Sequence, residues 1–570
     1  MFPVRRISRL LTAVGLASFL QIPAVAAQSS PAIPSGLAGA FLAGSVAVTS
    51  SDFSQIAQYY DRALRADPAN QGFRELAMQG HLLSGNFERA AELAGLARAD
   101  GALSQVAAVI LQADEARGGD FDAVLTALDE GQQTGPLTDA MARAWSELGQ
   151  GSMSDALESF ERVLSERSEL APFALYQKAL ALALVGDLER AAEILSGEMQ
   201  GPVSLSRRGV VAHISILSQL GRNDDALVLA EQVFGSTPDD DIAQMVLQLE
   251  AGQAVPFTTI TSAQDGMAET YFTLASALVG DRNDWLPMVY GRLALALRPD
   301  HADAILLTAQ LMERANQFAL ADAIYASMPD DHPQHLAARL GRANALYQSG
   351  ENEAAIAQLQ DLTVERPDSV LVFNALADML RREERYAEAV EAYASAVALI
   401  DEIEERHWVL LYTQAIALER LGDWDAAEPV FRQVLEFVPD EPQVLNYLGY
   451  SLIEQRRNLD EALDMIERAV EGEPDSGYIT DSLGWAYYRL GRYEEAVPVM
   501  ERAVELLPRD PILNDHLGDV YYAVGRYREA RFQWRRALSF GPHADLDMDL
   551  VRRKLEIGKD AALAEVEAEQ

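Results

Sequence analysis

Residues 477–510 read GYITDSLGWAYYRLGRYEEAVPVMERAVELLPRD, and residues 511–544 read PILNDHLGDVYYAVGRYREARFQWRRALSFGPHA. The two segments have the same length, and they align small, aromatic and proline residues with one another. The pairs that share this constant offset are Leu483 and Leu517, Gly484 and Gly518, Tyr487 and Tyr521, Gly491 and Gly525, Tyr493 and Tyr527, Ala496 and Ala530, Ala503 and Ala537, and Pro508 and Pro542. A period of this size indicates a repeat architecture in which each copy is one supersecondary unit.

Each aligned position has a physical role in a pair of antiparallel helices. Gly484 has no side chain, so the second helix of the pair can approach the first closely. Ala496 and Ala503 keep the facing side of the second helix thin, which close packing of the pair requires. Gly491 suits the turn between the helices, and Pro508 suits the end of the second helix. The pattern therefore predicts a helix-turn-helix repeat.

The order L-G-x2-Y, then two alanines, then proline resembles the tetratricopeptide repeat (TPR). The tryptophan position of that family holds Thr480 and Asn514, and its phenylalanine position holds Met500 and Trp534. The resemblance implies an all-α fold, an α-solenoid that winds as a right-handed superhelix. Weaker matches at similar spacing continue toward the N-terminus, so we expect about fourteen repeats with a C-terminal capping helix.

The pattern divides the chain into six segments. We expect a cleaved signal peptide at 1–27, a mobile leader at 28–36, an N-terminal array of degenerate repeats at 37–238, an irregular hinge or insertion at 239–267, a C-terminal array at 268–544, and a capping helix with a tail at 545–570. The run VPFTTITS at 255–262 is rich in β-branched residues and contains Pro256, which favours an irregular connection. A moving hinge and a simple insertion are both compatible with it.

The segment 1–27 has the layout of a secretory signal. Arg5, Arg6 and Arg9 give a basic start, an apolar run follows, and Ala24-Val25-Ala26 forms a small-residue cleavage site. The alternative is an uncleaved anchor, but the apolar run is short for a span of about 20 residues. The chain has no cysteine, which excludes both disulfides and a lipid-modified cysteine. We expect a soluble periplasmic protein that is not a lipoprotein and does not insert into the membrane after cleavage.

The charge balance limits the class of partner. The chain has 46 Lys and Arg residues against 87 Asp and Glu residues, a formal net charge of −41. Phosphate backbones would be repelled over most of such a surface, so nucleic acid is not an expected partner.

Motifs for catalysis are lacking in the sequence, which holds no nucleophile elbow, zinc-protease helix or phosphate-binding glycine loop. His332 and His335 form the one tight histidine pair, and we interpret them as a polar turn with a helix cap rather than as a metal site, because no further ligand set lies nearby in the sequence. We therefore predict no enzymatic activity, no cofactor and no metal, although a catalytic cluster of residues distant in sequence would escape this reasoning.

The TPR resemblance implies that the first helix of each repeat lines a groove. Carried onto the last three repeats, it implies the partner-binding residues Asn446, Tyr450, Asp481, Trp485, Tyr488, Asp515, Asp519 and Tyr522. Aromatic residues beside carboxylates suit a peptide with apolar and basic side chains. The alternative is that several of these aromatic residues fill the packing between repeats.

One basic segment departs from the overall acidity. Arg528, Arg531 and Arg535 share one face of the final repeat's second helix. They predict either a secondary docking patch for an acidic partner or phosphorylated head group, or an ordinary solvated face.

Three functions follow in decreasing order of support. The C-terminal repeats are similar to those of bacterial envelope TPR proteins, some of which act as adaptors for processing proteases. The resemblance implies an exported scaffold or adaptor that binds proteins or peptides and presents clients to an envelope protease. An assembly scaffold for an envelope polysaccharide or pilus complex is the alternative, and a cryptic enzyme comes third. The partner and the oligomeric state are left undefined by the sequence.

Overall fold

The computed structural model describes residues 36–166, 170–197, 206–235, 240–280, 284–543 and 546–569. Throughout these ranges every regular element is a helix, as predicted for an all-α fold. The predicted signal peptide at 1–27 lies outside the described residues, as does all but the last residue of the predicted leader. The helices form two compact units, the first ending at Gln334 and the second beginning at His335.

The first unit contains the helices α1 (Leu37–Thr49), α2 (Phe53–Ala66), α3 (Gln71–Leu83), α4 (Phe87–Ala99), α5 (Gln105–Arg117), α6 (Phe121–Asp129), α7 (Pro136–Gly149), α8 (Met153–Glu166), α9 (Ala171–Leu184), α10 (Leu188–Leu195), α11 (Arg207–Gln219), α12 (Asn223–Phe234), α13 (Asp240–Glu250), α14 (Ala263–Leu278), α15 (Trp285–Leu297), α16 (Ala302–Arg314) and α17 (Phe318–Tyr325).

The second unit contains the helices α18 (His335–Gln348), α19 (Asn352–Glu365), α20 (Val370–Arg382), α21 (Tyr386–Ala398), α22 (Trp408–Leu421), α23 (Trp424–Phe437), α24 (Pro442–Gln455), α25 (Leu459–Gly472), α26 (Gly477–Arg489), α27 (Tyr493–Leu506), α28 (Pro511–Ala523), α29 (Tyr527–Phe540), α30 (Met548–Ile557) and α31 (Lys559–Glu569). A short 3₁₀ turn at Glu405–His407 leads into α22.

The roles assigned to the repeat glycines are confirmed. Gly491 and Gly525 lie in the turns between paired helices with φ of +75° and +78°, a region that glycine enters without a steric cost. A Cβ atom on Gly484 would lie 2.7 Å from Met500, and one on Gly518 would lie 2.5 Å from Trp534. These glycines therefore set the close approach of the two helices in each hairpin.

Successive helices pair as hairpins, six of them before α13 and eight from α14 to α29 within the described ranges. The expectation of about fourteen repeats agrees with this arrangement. The expected single capping helix is two helices instead. Gly558, with φ of +88°, separates α30 from α31, because a left-handed residue ends the first helix.

The segment after α13 takes no regular form from residue 251 to residue 262. It is held against α11, because the Val255 N–H donates to Ser218 Oγ at 2.9 Å and the Val255 carbonyl accepts from Gln219 Nε2 at 2.7 Å. Motion of this segment stays a prediction.

Helices α14 and α15 pack against helices from much earlier in the chain. Besides pairing with each other, they contact α3, α5, α7 and α9, which are the first helices of four earlier hairpins. The face that a repeat array usually leaves open is thus filled, in the first unit, by a later hairpin of the same unit. None of the described helices combines the length and apolar character needed to cross a membrane.

Candidate peptide-binding cleft

A cleft of about 400 Å³ lies in the second unit, lined by the first helices of four successive hairpins, α22, α24, α26 and α28. Three of the predicted groove residues line it, namely Asn446, Tyr450 and Asp481. Asn446, Asp481 and Asp515 occupy equivalent positions in α24, α26 and α28, since each is one repeat further along the chain than the last. The repeat therefore places one polar side chain per hairpin on the same face.

Asp481 lines the cleft and is only 5% exposed. Its Oδ2 atom lies 2.8 Å from Nδ1 of His516, and the His516 ring stacks on Trp485 with centroids 4.1 Å apart. Burial lowers the pKa of His516, but the carboxylates of Asp481, Asp515 and Asp519 together outweigh burial and raise this pKa above its ordinary value. The charged imidazolium is thus favoured against the carboxylate.

Two oxygen atoms in the cleft are buried without a hydrogen-bond partner in the described part of the chain. They are Oδ1 of Asn446 and Oδ1 of Asp481. Tyr450 beside them keeps its proton, because burial and the negative charges of Glu454 and Asp481 raise its pKa. The cleft therefore offers uncommitted acceptors next to an aromatic ring.

Trp485 and Tyr488 stack on each other with ring centroids 4.8 Å apart, and both are half-buried. The indole N–H of Trp485 donates to Glu454 at 2.8 Å. Tyr488 is covered by the last helix, because Lys559 lies 4.3 Å from its ring centroid and also bonds its hydroxyl.

The remaining predicted groove residues lie beneath α30 and α31 rather than in an open groove. Lys554 Nζ donates to Asp515 Oδ2 at 2.8 Å and contacts Asp519 Oδ1 at 3.0 Å, and all three side chains are buried. Tyr522 packs on Trp534, with ring centroids 5.7 Å apart, and beside Gly558. The expected exposure of these residues is corrected, because the sequence could not show that the final helices fold over this face. Their role in partner binding stays a prediction.

The predicted secondary docking patch is on the outer surface of α29. Arg528, Arg531 and Arg535 are all exposed, and none forms a hydrogen bond or an ion pair with a described residue. Arg526, in the same segment, is paired with Glu501 and Glu529. The docking role of the three arginines stays a prediction.

His332 lines a polar cavity of about 340 Å³ in the first unit, and its Nδ1 accepts from the backbone N–H of Gln334 at 3.1 Å. Over the ranges that the structure describes, no three His, Cys, Asp or Glu side chains converge in a way that could hold a metal.

A buried polar cluster in the first unit escaped the sequence analysis. Glu269 of α14 is 1% exposed and accepts from Tyr176 at 2.8 Å, from Arg208 at 2.7 Å and from His301 at 3.1 Å. Although burial raises the pKa of Glu269, Arg208 and His301 together lower it to about 2. The cluster fixes α14 onto α9 and α11, so it is part of the contact that fills the face of the first unit.

Comparison with known proteins is consistent with this architecture. Models described as tetratricopeptide repeat match residues 368–440 in one case, and residues 141–198, 412–478 and 454–511 in another. These segments of the chain are tetratricopeptide repeats. A TPR repeat-containing protein of Pseudomonas aeruginosa is 29% identical over 158 residues, which is 28% of this chain and 26% of that protein. The match thus spans about a quarter of that relative.

Two solved structures are also similar to this chain. A tetratricopeptide repeat protein from Parabacteroides merdae has 15% identity and a TM-score of 0.38, over 45% of this chain and 98% of that chain. The APC/C hetero-tetramer Cut9–Hcn1 has 14% identity and a TM-score of 0.37, over 92% of this chain and 97% of that chain.

Proposed function

We propose that this TPR protein is an exported scaffold whose cleft in the second unit binds an extended segment of a partner protein. TPR repeats mark the chain as a protein-interaction scaffold. The observation that carries the finer proposal is the pair of buried, unpartnered acceptors beside Tyr450. Burying such atoms is unfavourable unless a ligand supplies donors.

The cleft in the second unit is favoured as the binding site because the corresponding face of the first unit is covered. There α14 and α15 cover the face formed by α3, α5, α7 and α9. A partner segment would have to displace a buried hairpin to bind that face. The cleft along α22 to α28 requires no such displacement.

The chemistry of the cleft favours a segment with basic and apolar side chains. Its walls combine the rings of Tyr450 and Tyr478 with the carboxylates of Asp481 and Glu419. Aromatic rings bind apolar groups by burial and cations through their faces. Nucleic acid is disfavoured by the net charge of −41.

The export part of the proposal rests on the basic, apolar and small-residue order of the segment 1–27. In the envelope, the scaffold would present client proteins to a protease. A scaffold for a polysaccharide or pilus assembly would use the same cleft on a membrane complex. The identity of the bound protein distinguishes these two roles.

A photocrosslinking amino acid in place of Tyr450 tests the proposal in the native cell. Val364 on α19 is 81% exposed and far from the cleft residues in sequence, so the same substitution there is the matched control. We expect discrete protein adducts from position 450 and none of the same adducts from position 364. Identical adducts from both positions, or none from position 450 in a variant with wild-type helical content, would contradict the proposal.

A further inference from the structure

We infer that the cleft contains a subsite for one lysine side chain of the bound segment, formed by Asn446 and Asp481. The inference rests on the proposed function and names the side chain that the cleft selects. Three observations in the second unit support it. The next repeat already binds a lysine of the same chain, two oxygen atoms in the cleft lack partners among the described residues, and acidic side chains line the cleft around them.

The precedent is the next repeat of the same chain. Asp515 in α28 is equivalent to Asp481 in α26, and its Oδ2 atom is paired from within the molecule, while its Oδ1 atom has no partner among the described residues. Lys554 of α30 places its ammonium 2.8 Å from Asp515 Oδ2, and this lysine is 3% exposed. Lys559 adds a second ammonium over the Tyr488 ring. This face of the repeats thus accommodates buried lysine side chains.

One repeat earlier, no lysine of the described chain reaches the equivalent position. The Oδ2 atom of Asp481 is used by His516, but its Oδ1 atom and the Oδ1 atom of Asn446 are buried without partners among the described residues. Both are acceptors, so they require a donor. Asp481 is almost entirely removed from solvent, and a second charged donor beside the His516 imidazolium would stabilise its free oxygen atom more than a neutral donor would.

The surroundings favour a cation over a neutral donor. Glu419 and Asp510 line the cleft with Asp481, and Arg420 and the imidazolium of His516 are the cationic side chains among the described lining residues that face them. Tyr450 supplies an aromatic wall against which the methylene stem of a lysine can pack. A lysine ammonium carries three donors on a compact head, which suits two acceptors on successive first helices.

The test uses a random heptapeptide library displayed on phage, selected on the full chain. We expect enriched peptides to share a lysine at one fixed position. Asp481→Asn keeps the side-chain shape but removes the charge, and Asn446→Leu removes an acceptor without touching His516. Both should lower the lysine enrichment at least tenfold. Asp425→Asn alters an exposed carboxylate on α23, whose side chain is 89% exposed, and should leave it unchanged.

A selected peptide then reports the chemistry directly. Replacing its lysine by norleucine or by acetyl-lysine should weaken Kd at least tenfold, while arginine should recover part of the affinity. Selection of peptides without a shared lysine, or a lysine enrichment that survives both cleft substitutions, would overturn the subsite and leave the proposed function standing. Selection of no peptide by a folded wild-type chain would overturn both.

Discussion

Gly266 of α14 lies directly on the indole of Trp145 in α7, so that a Cβ atom at position 266 would be 2.4 Å from the ring. Trp145 is fully buried, and its Nε1 donates to Gln177 of α9 at 3.0 Å. Thr270, one turn after Gly266, also bonds Gln177. The missing side chain at position 266 is what lets α14 rest on the first helices of the earlier repeats.

The Gly266→Ala variant should unfold more easily than the wild type. The added methyl cannot be accommodated unless the Trp145 ring or the backbone shifts, and such overpacking costs about 1–3 kcal/mol. Gly95→Ala in α4 is the control, because nothing lies within 4 Å of a Cβ atom there. The control should gain about 0.5–1 kcal/mol from helix propensity. Urea unfolding measures both, and equal stabilities would show that α14 is not seated on Trp145.

Glu269→Gln should destabilise the first unit by about 3 kcal/mol, the low end for a broken buried ion pair, because Arg208 loses its nearest carboxylate but keeps Asp303 at 2.9 Å. Glu92→Gln changes an exposed carboxylate that pairs with Arg89, and it should cost less than about 1 kcal/mol. Chemical unfolding followed by tryptophan fluorescence compares the two. Similar small losses would mean that the buried cluster does not hold α14 in place.

Lys554→Met should release the last two helices. The variant keeps an unbranched apolar stem but leaves the buried carboxylate of Asp515 without its ammonium, a change that costs about 3–5 kcal/mol. Asp519 keeps a second ammonium, that of Lys559, at 3.3 Å. Hydrogen exchange over residues 548–569 should accelerate. Arg552→Met is the matched control on the same helix, since Arg552 is exposed and pairs only with Asp549 among the described residues. Hydrogen exchange in the Lys554 variant as slow as in the wild type would contradict the role of Lys554 in holding α30 and α31 over Asp515.

The stability that His516 adds should decrease as the pH rises. Its folded pKa is raised above 6.5 by Asp481 from α26 and by Asp515 and Asp519 on its own helix, against the opposing effect of burial. A raised pKa means that the folded state binds the proton more tightly, so this stabilisation is complete below about pH 6.5 and is lost through the folded pKa. Urea unfolding of the wild type and of His516→Gln, from acidic to alkaline pH, should give a difference that shrinks with pH. A difference that grows would refute the assigned charge.

Replacing Arg528, Arg531 and Arg535 together by serine should leave the unfolding free energy within about 0.5 kcal/mol of wild type, because exposed residues without ion pairs contribute little. If the patch docks an acidic partner, the variant should lose its salt-sensitive retention on an immobilised polyglutamate column. Retention equal to that of the wild type would leave these arginines as an ordinary solvated surface.

The sequence alone determined the hairpin and its repetition. Gly491 permits the turn, Gly484 the close approach, and the constant repeat spacing places Asp481 and Asp515 on equivalent turns. Each of these properties depends on contacts within one repeat or between neighbouring repeats. Such contacts recur at a fixed separation along the chain, so a periodic pattern records them.

The tertiary structure decided which parts of the repeat surface stay accessible. Tyr176 meets Glu269 from 93 residues away, and Lys554 meets Asp515 from 39 residues away. Neither separation belongs to the repeat period, so no local pattern predicts that α14 covers α7 and α9 or that α30 covers α28. These contacts form because a buried charge or an exposed apolar face is stabilised by whichever segment can reach it in the folded chain. The cleft beside Asn446 and Asp481 therefore stays accessible because α30 and α31 lie over Asp515 and Asp519 instead.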